Sequence, residues 1–289
     1  MLADALHGVN SQVTPDEVTF EVVVVDNDFN RSAASVVKTF KEKTDLTIIY
    51  DCEPEQNISL ARNRAVSNAS GKFIAFIDDD EIPVRDWLLR LYCVMKESNA
   101  DGVLGPVYPS YPAGAPDWLK RGNILGTRHL PSGTRLSVRD TRTGNVLMSR
   151  AIMDEEGIRF DPAFGRTGGE DVDFFERQIV RGRVFVWCDE AVVYEKVPAE
   201  RWRAVFHLEK WLRMGTLNGE RIRRSGAAGR MVLVKRVISV PVWLVGFLLT
   251  LPFGKHVWIR PAMKLAYSSG CVLAYLGLID AEHRKEVRK

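Results

Sequence analysis

Three consecutive carboxylates, Asp78, Asp79 and Asp80, follow the apolar run FIAFI at 73–77. Ligands of open α/β sheets collect at the carboxyl ends of parallel strands, so acids in this place can act on them. If the chain stays extended, alternation puts Asp78 and Asp80 on one side and Asp79 on the other. Two converging carboxylates make a hard-oxygen site suited to Mg²⁺ or Mn²⁺ carrying a diphosphate. A solvated acidic turn ahead of the next helix is the competing reading. Asp26 ends a second apolar run, VVVVD. A carboxylate there can accept a hydrogen bond from a base N–H or a ribose hydroxyl, or simply close the strand in an Asp turn.

The segment GGEDVDFF sets Gly168 and Gly169 before Glu170 and Asp171 in the first turn of an amphipathic helix. The acids complement the helix dipole. Glycines also permit close backbone approach, and a carboxylate at such a site can serve as a general base. In NISLARNR, at 57–64, Arg62 and Arg64 pair with phosphates or remain surface charge. The five scattered histidines suggest no Ser/His/Asp set, and no Gly-rich phosphate loop is present.

The elements that would position these residues alternate. Short β-branched or apolar runs at 21–26, 46–50 and 73–77 predict strands buried on both faces. Helical stretches at 33–43, 59–70 and 85–98 lie between and after them, a rhythm that predicts an α/β fold with a mostly parallel sheet. Further strands are expected at 102–108, 145–149 and 184–194, helices at 171–181 and 200–224, and a loop at 106–116. A chain of 289 residues, 46% apolar and 27% charged, is large enough for such a core and excludes a disordered or fibrous chain. A net charge of +3 is too small for a protein that depends on nucleic acid, so no nucleic-acid partner is expected. The four cysteines stand singly and suggest a reducing compartment.

The basic charge is concentrated. Residues 201–236 hold ten Lys or Arg against two acids. Uncharged stretches follow at 237–253 and 265–279, with basic residues between and after them. Both stretches are short for a ~30 Å hydrocarbon core, and basic flanks on every side disfavour a spanning hairpin. A re-entrant or in-plane helical pair on an anionic membrane surface is expected, with buried core helices as the alternative.

Taken in order, VVVVDN, NISLARNRAVSNASGKFIAFIDDDE, GNVLMSR and FGRTGGEDVDFF resemble family 2 glycosyltransferases of the GT-A fold. The phrases LGPV and EKVPAER, with the basic and then apolar tail, look like the succinoglycan-type exopolysaccharide glucosyltransferases. The resemblance implies a GT-A domain over 1–200, a basic helical linker over 201–236 and a membrane-associating tail over 237–289. It implies that Asp26 binds the uracil of a UDP-sugar and that Arg62 lies beside the nucleotide. Asp78 would contact ribose or metal, and Asp80 would hold a divalent cation on the diphosphate. Asp171 would be the base that deprotonates the acceptor, with Glu170, Gly168 and Gly169 shaping the acceptor side. The implied activity is inverting transfer from a UDP-hexose, glucose first, to a lipid-linked saccharide of an exopolysaccharide at the cytoplasmic face of a bacterial inner membrane.

Two departures accompany the resemblance. Tyr194 stands in VVYEKVP where such relatives often carry a metal-assisting His, so no third protein ligand is expected. The family also opens with a central strand, whereas this sequence opens on a helical pattern, Leu2, Leu6 and Val9. The expectation is that 21–26 and 73–77 flank a slot, and that the natural protein begins some 15–25 residues upstream, a margin taken from the family's layout. The alternatives are a nucleotidyltransferase on a similar sheet and an inactive membrane-associated remnant.

Overall fold

The computed structural model describes residues 1–127, 129–155, 159–166 and 168–280. Two compact units emerge: Met1–Ser110 with Thr127–Lys196, and Tyr111–Gly126 with the chain from Val197 onward. In chain order the elements begin with α1 (Leu2–Asn10), β1 (Val22–Asp26), α2 (Ala34–Lys41), β2 (Ile48–Cys52) and α3 (Ile58–Asn68). Next come β3 (Phe73–Phe76), β4 (Glu81–Pro83), α4 (Trp87–Ser98), β5 (Gly102–Leu104), β6 (Val107–Ser110) and α5 (Asp117–Gly122). They continue with β7 (Val146–Ser149), α6 (Arg150–Asp154), α7 (Glu170–Val180), β8 (Phe185–Trp187) and β9 (Val193–Lys196). The chain ends in α8 (Ala204–Arg224), α9 (Arg230–Thr250) and α10 (Lys255–Tyr275).

The first unit is built on a four-stranded sheet ordered β3-β7-β5-β8. Alternation along its strands feeds two cores. Leu104, Val146, Met148, Phe185 and Trp187 join Phe160, Phe174 and Phe175 on one face. Val103, Leu147 and Val186 join Trp87, Leu91 and Met95 of α4 on the other. Period-two side chains buried on both faces explain why these strands are continuously apolar. The sheet is mixed rather than mostly parallel, because β7 runs antiparallel to both β3 and β5.

Two expected strands each divide. The stretch 102–108 breaks at Gly105-Pro106 into β5 and β6, and 184–194 breaks into β8 and β9. Asn145, fully buried with φ 60°, sits at the joint and donates to the carbonyls of Pro106 and Ala191. A Cβ at Gly105 would collide with Ala191 and Asn145. The second halves pair elsewhere, in a sheet ordered β4-β9-β6 that places β6 inside the expected 106–116 loop.

Strands β1 and β2 form a separate parallel pair. Leu6 of α1, Val37 and Phe40 of α2 and Ile48 of β2 make its core, so the helical pattern at 2–9 is realised. Strands β1 and β3 do not pair. Between them lies a cavity of about 680 Å³ lined by Val22 and Val23, by Phe73–Phe76 and by Val66, Ala69 and Trp87. The expected slot is therefore present, and it leaves Val22–Val25 half-buried instead of enclosed on both faces.

In the second unit, α10 packs on α8. Gly215, Gly219 and Gly270 let the backbones approach closely, since a Cβ at any of them would overlap a backbone carbonyl oxygen of the facing helix. Helix α5 also belongs here, held by Arg260, whose guanidinium donates to the carbonyls of Gly122 and Asn123. A single boundary near residue 200 therefore misses 111–126. The tail is likewise not a pair of equivalent segments. Ile259, Met263, Ser268 and Cys271 of α10 are buried, so α10 is a packed helix. Helix α9 and its last turn, Arg230–Phe253, form a 24-residue stretch whose 18-residue apolar window has a mean hydropathy of 2.0 and no buried residue. At ~1.5 Å per residue the whole helix is about 36 Å, but Arg230, Lys235 and Arg236 occupy its first turns, so its uncharged part is the stretch read from 237–253.

Candidate active site

The predicted acids stand at strand ends and at the start of a helix of the first unit. Asp78 follows β3, and the chain turns at once: the Glu81 N–H donates to the Asp78 carbonyl at 3.1 Å, and the Asp78 N–H donates to Glu81 Oε2 at 3.1 Å. Asp79 and Asp80 therefore sit in a turn. The alternation expected to align Asp78 with Asp80 does not apply, because the extended chain ends at Phe76. The Lys196 N–H of β9 donates to the Asp80 carbonyl and fixes the far side of the turn.

Arg62 links this turn to the other predicted acids. Helix α3 starts at Asn57, whose side chain accepts from the Ser59 and Leu60 N–H groups as an N-cap. Asn63 then exchanges two hydrogen bonds with the Phe160 backbone, fixing the rotation of the helix. Arg62 consequently lies over the Phe160 ring, 5.6 Å from its centroid. Its guanidinium bonds Glu170 Oε1 at 2.6 Å and lies 4.0 Å from Asp78 Oδ1. Arg64, by contrast, is tied to Asp51 and Glu53 at 3.1 and 3.3 Å, which accounts for it without a phosphate.

Glu170 and Asp171 open α7. Gly168 and Gly169 have φ of 91° and 96°, and nothing lies within 4 Å of a Cβ built on either. The left-handed backbone at both positions is what favours glycine here. Burial pushes the Asp171 carboxyl above the usual range; Glu170 adds to this, while Arg62 opposes it. Asp78 is also pushed up. Protein crowds its carboxyl although 52% of the side chain reaches solvent; Arg62 opposes the shift, and Glu195 and Asp79 add to it.

Asp26 is buried and already engaged. Its carboxylate accepts from the Ala33 N–H at 2.8 Å, the Tyr50 hydroxyl at 3.0 Å and the Asp28 N–H at 3.2 Å. Burial and this bond raise the Tyr50 phenol to about 12.

Three residues escaped the sequence reading. Glu81 is 3% exposed, and burial, with Asp78 beside it, pushes its carboxyl up to about 8. Its place in DDDE was the available signal. Glu195 stands opposite Glu81 across the β4–β9 ladder. Arg142, in the loop before β7, senses Glu81, Glu195, Asp78 and Asp171; burial lowers it and those acids restore it. No pattern in the sequence marked Arg142. Among the described residues, no three His, Cys, Asp or Glu side chains converge as a metal-ligand group. Carboxylate oxygens such as those of Asp78 and Asp80 are of the hard type that Mg²⁺ or Mn²⁺ prefers, and two carboxylates would need further oxygens from a ligand or water to complete either ion's coordination.

The profile of glycosyl transferase family 2 matches residues 1–157. Succinoglycan biosynthesis protein ExoM of Rhizobium meliloti is 35% identical over 218 residues, covering 75% of this chain and 70% of that protein. Glycosyltransferase AglE of Haloferax volcanii is 32% identical over 269 residues, covering 81% of this chain and 85% of that one. The crystal structure of S. aureus TarS 1-349 shares the fold, with a TM-score of 0.54 at 16% identity over 96% of this chain and 88% of that one. The same protein in complex with UDP gives 0.51 at equal coverage. The chain belongs to glycosyl transferase family 2, and it is a glycosyltransferase of the GT-A fold.

Proposed function

We propose that this glycosyltransferase moves a hexose, glucose first among candidates, from a UDP-sugar to a lipid-linked oligosaccharide in exopolysaccharide assembly, with inversion at the sugar carbon. The observation that carries the reading is Arg62, which bonds Glu170 beside Asp171 and reaches Asp78, joining two groups of acids on one cation. The names of relatives support the product class: one serves succinoglycan biosynthesis, and a structural neighbour was solved with UDP.

In this reading Asp171 takes the proton of the acceptor hydroxyl as that oxygen attacks the sugar. Its raised carboxyl is a stronger proton acceptor than a solvated aspartate. Asp78 and Asp80 would hold Mg²⁺ or Mn²⁺, which would neutralise the diphosphate leaving group. Asp26 lies at the base and ribose end, where its remaining acceptor capacity meets an N–H or hydroxyl. Glu170, Gly168 and Gly169 border the acceptor. The exposed apolar surface of α9, next to the basic segment 201–236, suits the cytoplasmic face of an anionic inner membrane, where a lipid-linked acceptor resides. Family membership sets aside the nucleotidyltransferase alternative.

The test incubates membranes carrying the chain with a panel of UDP-sugars and Mn²⁺ or Mg²⁺, with and without lipid-linked acceptor. Cation-dependent UDP release that rises with acceptor supports the reading. Absence of UDP binding with either cation would identify an inactive remnant.

A further inference from the structure

One face of the β4-β9-β6 sheet carries a row of rings, exposed at Tyr194 and half-buried at Tyr108. Ile82 of β4 stands opposite Tyr194 of β9, and Tyr194 stands beside Tyr108 of β6. Ile82 and Tyr194 are 37% and 45% exposed. The centroids of Tyr108 and Tyr194 are 6.3 Å apart with planes tilted by 42°. His129 extends the row, 5.5 Å from Tyr108 and tilted by 35°. The rim is polar: the Tyr108 hydroxyl lies 3.1 Å from His129 Nδ1, which lies 3.1 Å from Asp189 Oδ2. Trp187 Nε1 donates to Asp189 Oδ1 at 2.9 Å, anchoring the carboxylate.

Rings fanned at such angles, with hydroxyl, imidazole and carboxylate along one edge, match a ligand with apolar faces and hydroxyl edges. A saccharide has that form. Its polarised C–H groups favour the electron-rich faces of Tyr, and its hydroxyls find both donors and acceptors at the rim. A protein partner would need about 800 Å² per side, far more than these few side chains offer, and an acyl chain would leave the His–Asp rim unused. Continuity with the candidate active site favours the acceptor as the source. Tyr194 directly precedes Glu195, which stands opposite Glu81, and Glu81 bonds the Asp78 backbone. The strand pair β4–β9 therefore carries active-site carboxylates on one face and this aromatic row on the other.

We propose that Tyr194, Tyr108 and His129, with Asp189 at the rim, form a saccharide-binding platform that holds the acceptor glycan several sugars away from its reacting end. The assignment to the acceptor rests on the glycosyl-transfer reading; the saccharide chemistry of the platform does not.

The test uses the full chain in detergent micelles, labelled with 3-fluorotyrosine and titrated separately with laminaritetraose, cellotetraose, maltotetraose and glucose. At least one tetrasaccharide shifts the fluorine resonances of Tyr194 and Tyr108 saturably at millimolar concentration, and glucose binds far more weakly. Tyr194→Ala weakens that tetrasaccharide roughly 3- to 10-fold, the worth of one aromatic contact, with UDP affinity unchanged. Tyr194→Phe keeps the ring and the affinity. His129→Ala, at a side chain 69% exposed, gives a second loss without disturbing the core. Failure of all three tetrasaccharides to shift either tyrosine, or undiminished binding in both alanine variants, overturns the platform. Saturable binding in a chain that releases no UDP from any UDP-sugar overturns the transfer reading alone.

Discussion

Arg62 Nη1 lies 2.6 Å from Glu170 Oε1, and the same guanidinium lies 4.0 Å from Asp78 Oδ1. One side chain of α3 thus answers acids from the start of α7 and the end of β3. Because Arg62 lowers both Asp78 and Asp171, its removal leaves each carboxyl further above the usual range.

Arg62→Gln therefore shifts the acid limb of the kcat/KM profile for sugar transfer to higher pH, since a base with a raised pKa needs a higher pH to ionise. The variant also leaves Glu170, 10% exposed in its side chain, without its cation, which costs about 3 kcal/mol of stability. Arg62→Gln with Glu170→Gln regains most of that loss in a denaturant titration but not the transfer rate. Unchanged pH limbs in the single variant would show that Arg62 does not set the acids.

Glu81 predicts a stability that falls with pH. Its carboxyl titrates near 8 in the folded chain against a reference of 4.5, so the folded state binds the extra proton between those values. The contribution is fully present below about 4.5 and is lost as pH rises through about 8. Thermal melts in chelator at pH 6 and pH 9 should show a drop in Tm that Glu81→Gln largely removes, because the amide oxygen still accepts the Asp78 N–H. An equal drop in both proteins would place the titrating group elsewhere.

Helix α9 gives a prediction that the sequence alone framed less well. Deleting the chain after Arg224 would strip α10 from α8 and expose Gly215, Thr216 and Gly219, so loss of membrane binding could not be told from unfolding. Substitution on the exposed face avoids this. Val245→Arg with Leu249→Arg, each costing about 2.5–3.5 kcal/mol in a bilayer interior, moves the chain to the soluble fraction. High salt does not release the unmodified chain, because buried apolar area is not screened. Complete release by salt would mean that the basic segment alone holds it.

Much of the fold was legible because strand and helix periods in the first unit are clean. Runs such as FIAFI and helices such as α4 are read directly from apolar spacing. The breaks at Gly105-Pro106 and between β8 and β9 were not, since the deciding residue, Asn145, acts from 39 and 46 positions away through its side-chain amide. Helix α10 resembled α9 in composition, yet three glycines at its contact with α8 make it a packed helix. In the site, acids and Arg62 were visible because strand ends and helix starts locate them. Arg142 was invisible because a half-buried arginine in a loop among carboxylates leaves no spacing to read.

The central claim is that Asp171 deprotonates the acceptor while Asp78 and Asp80 serve the donor. It is tested most directly by measuring, on the same preparation of Asp171→Asn, UDP affinity with Mn²⁺ and the rate of sugar transfer to lipid-linked acceptor. The account predicts nucleotide affinity equal to the unmodified chain and transfer lower by roughly 10²–10⁴, the usual worth of a positioned base. Transfer at the unmodified rate would contradict it.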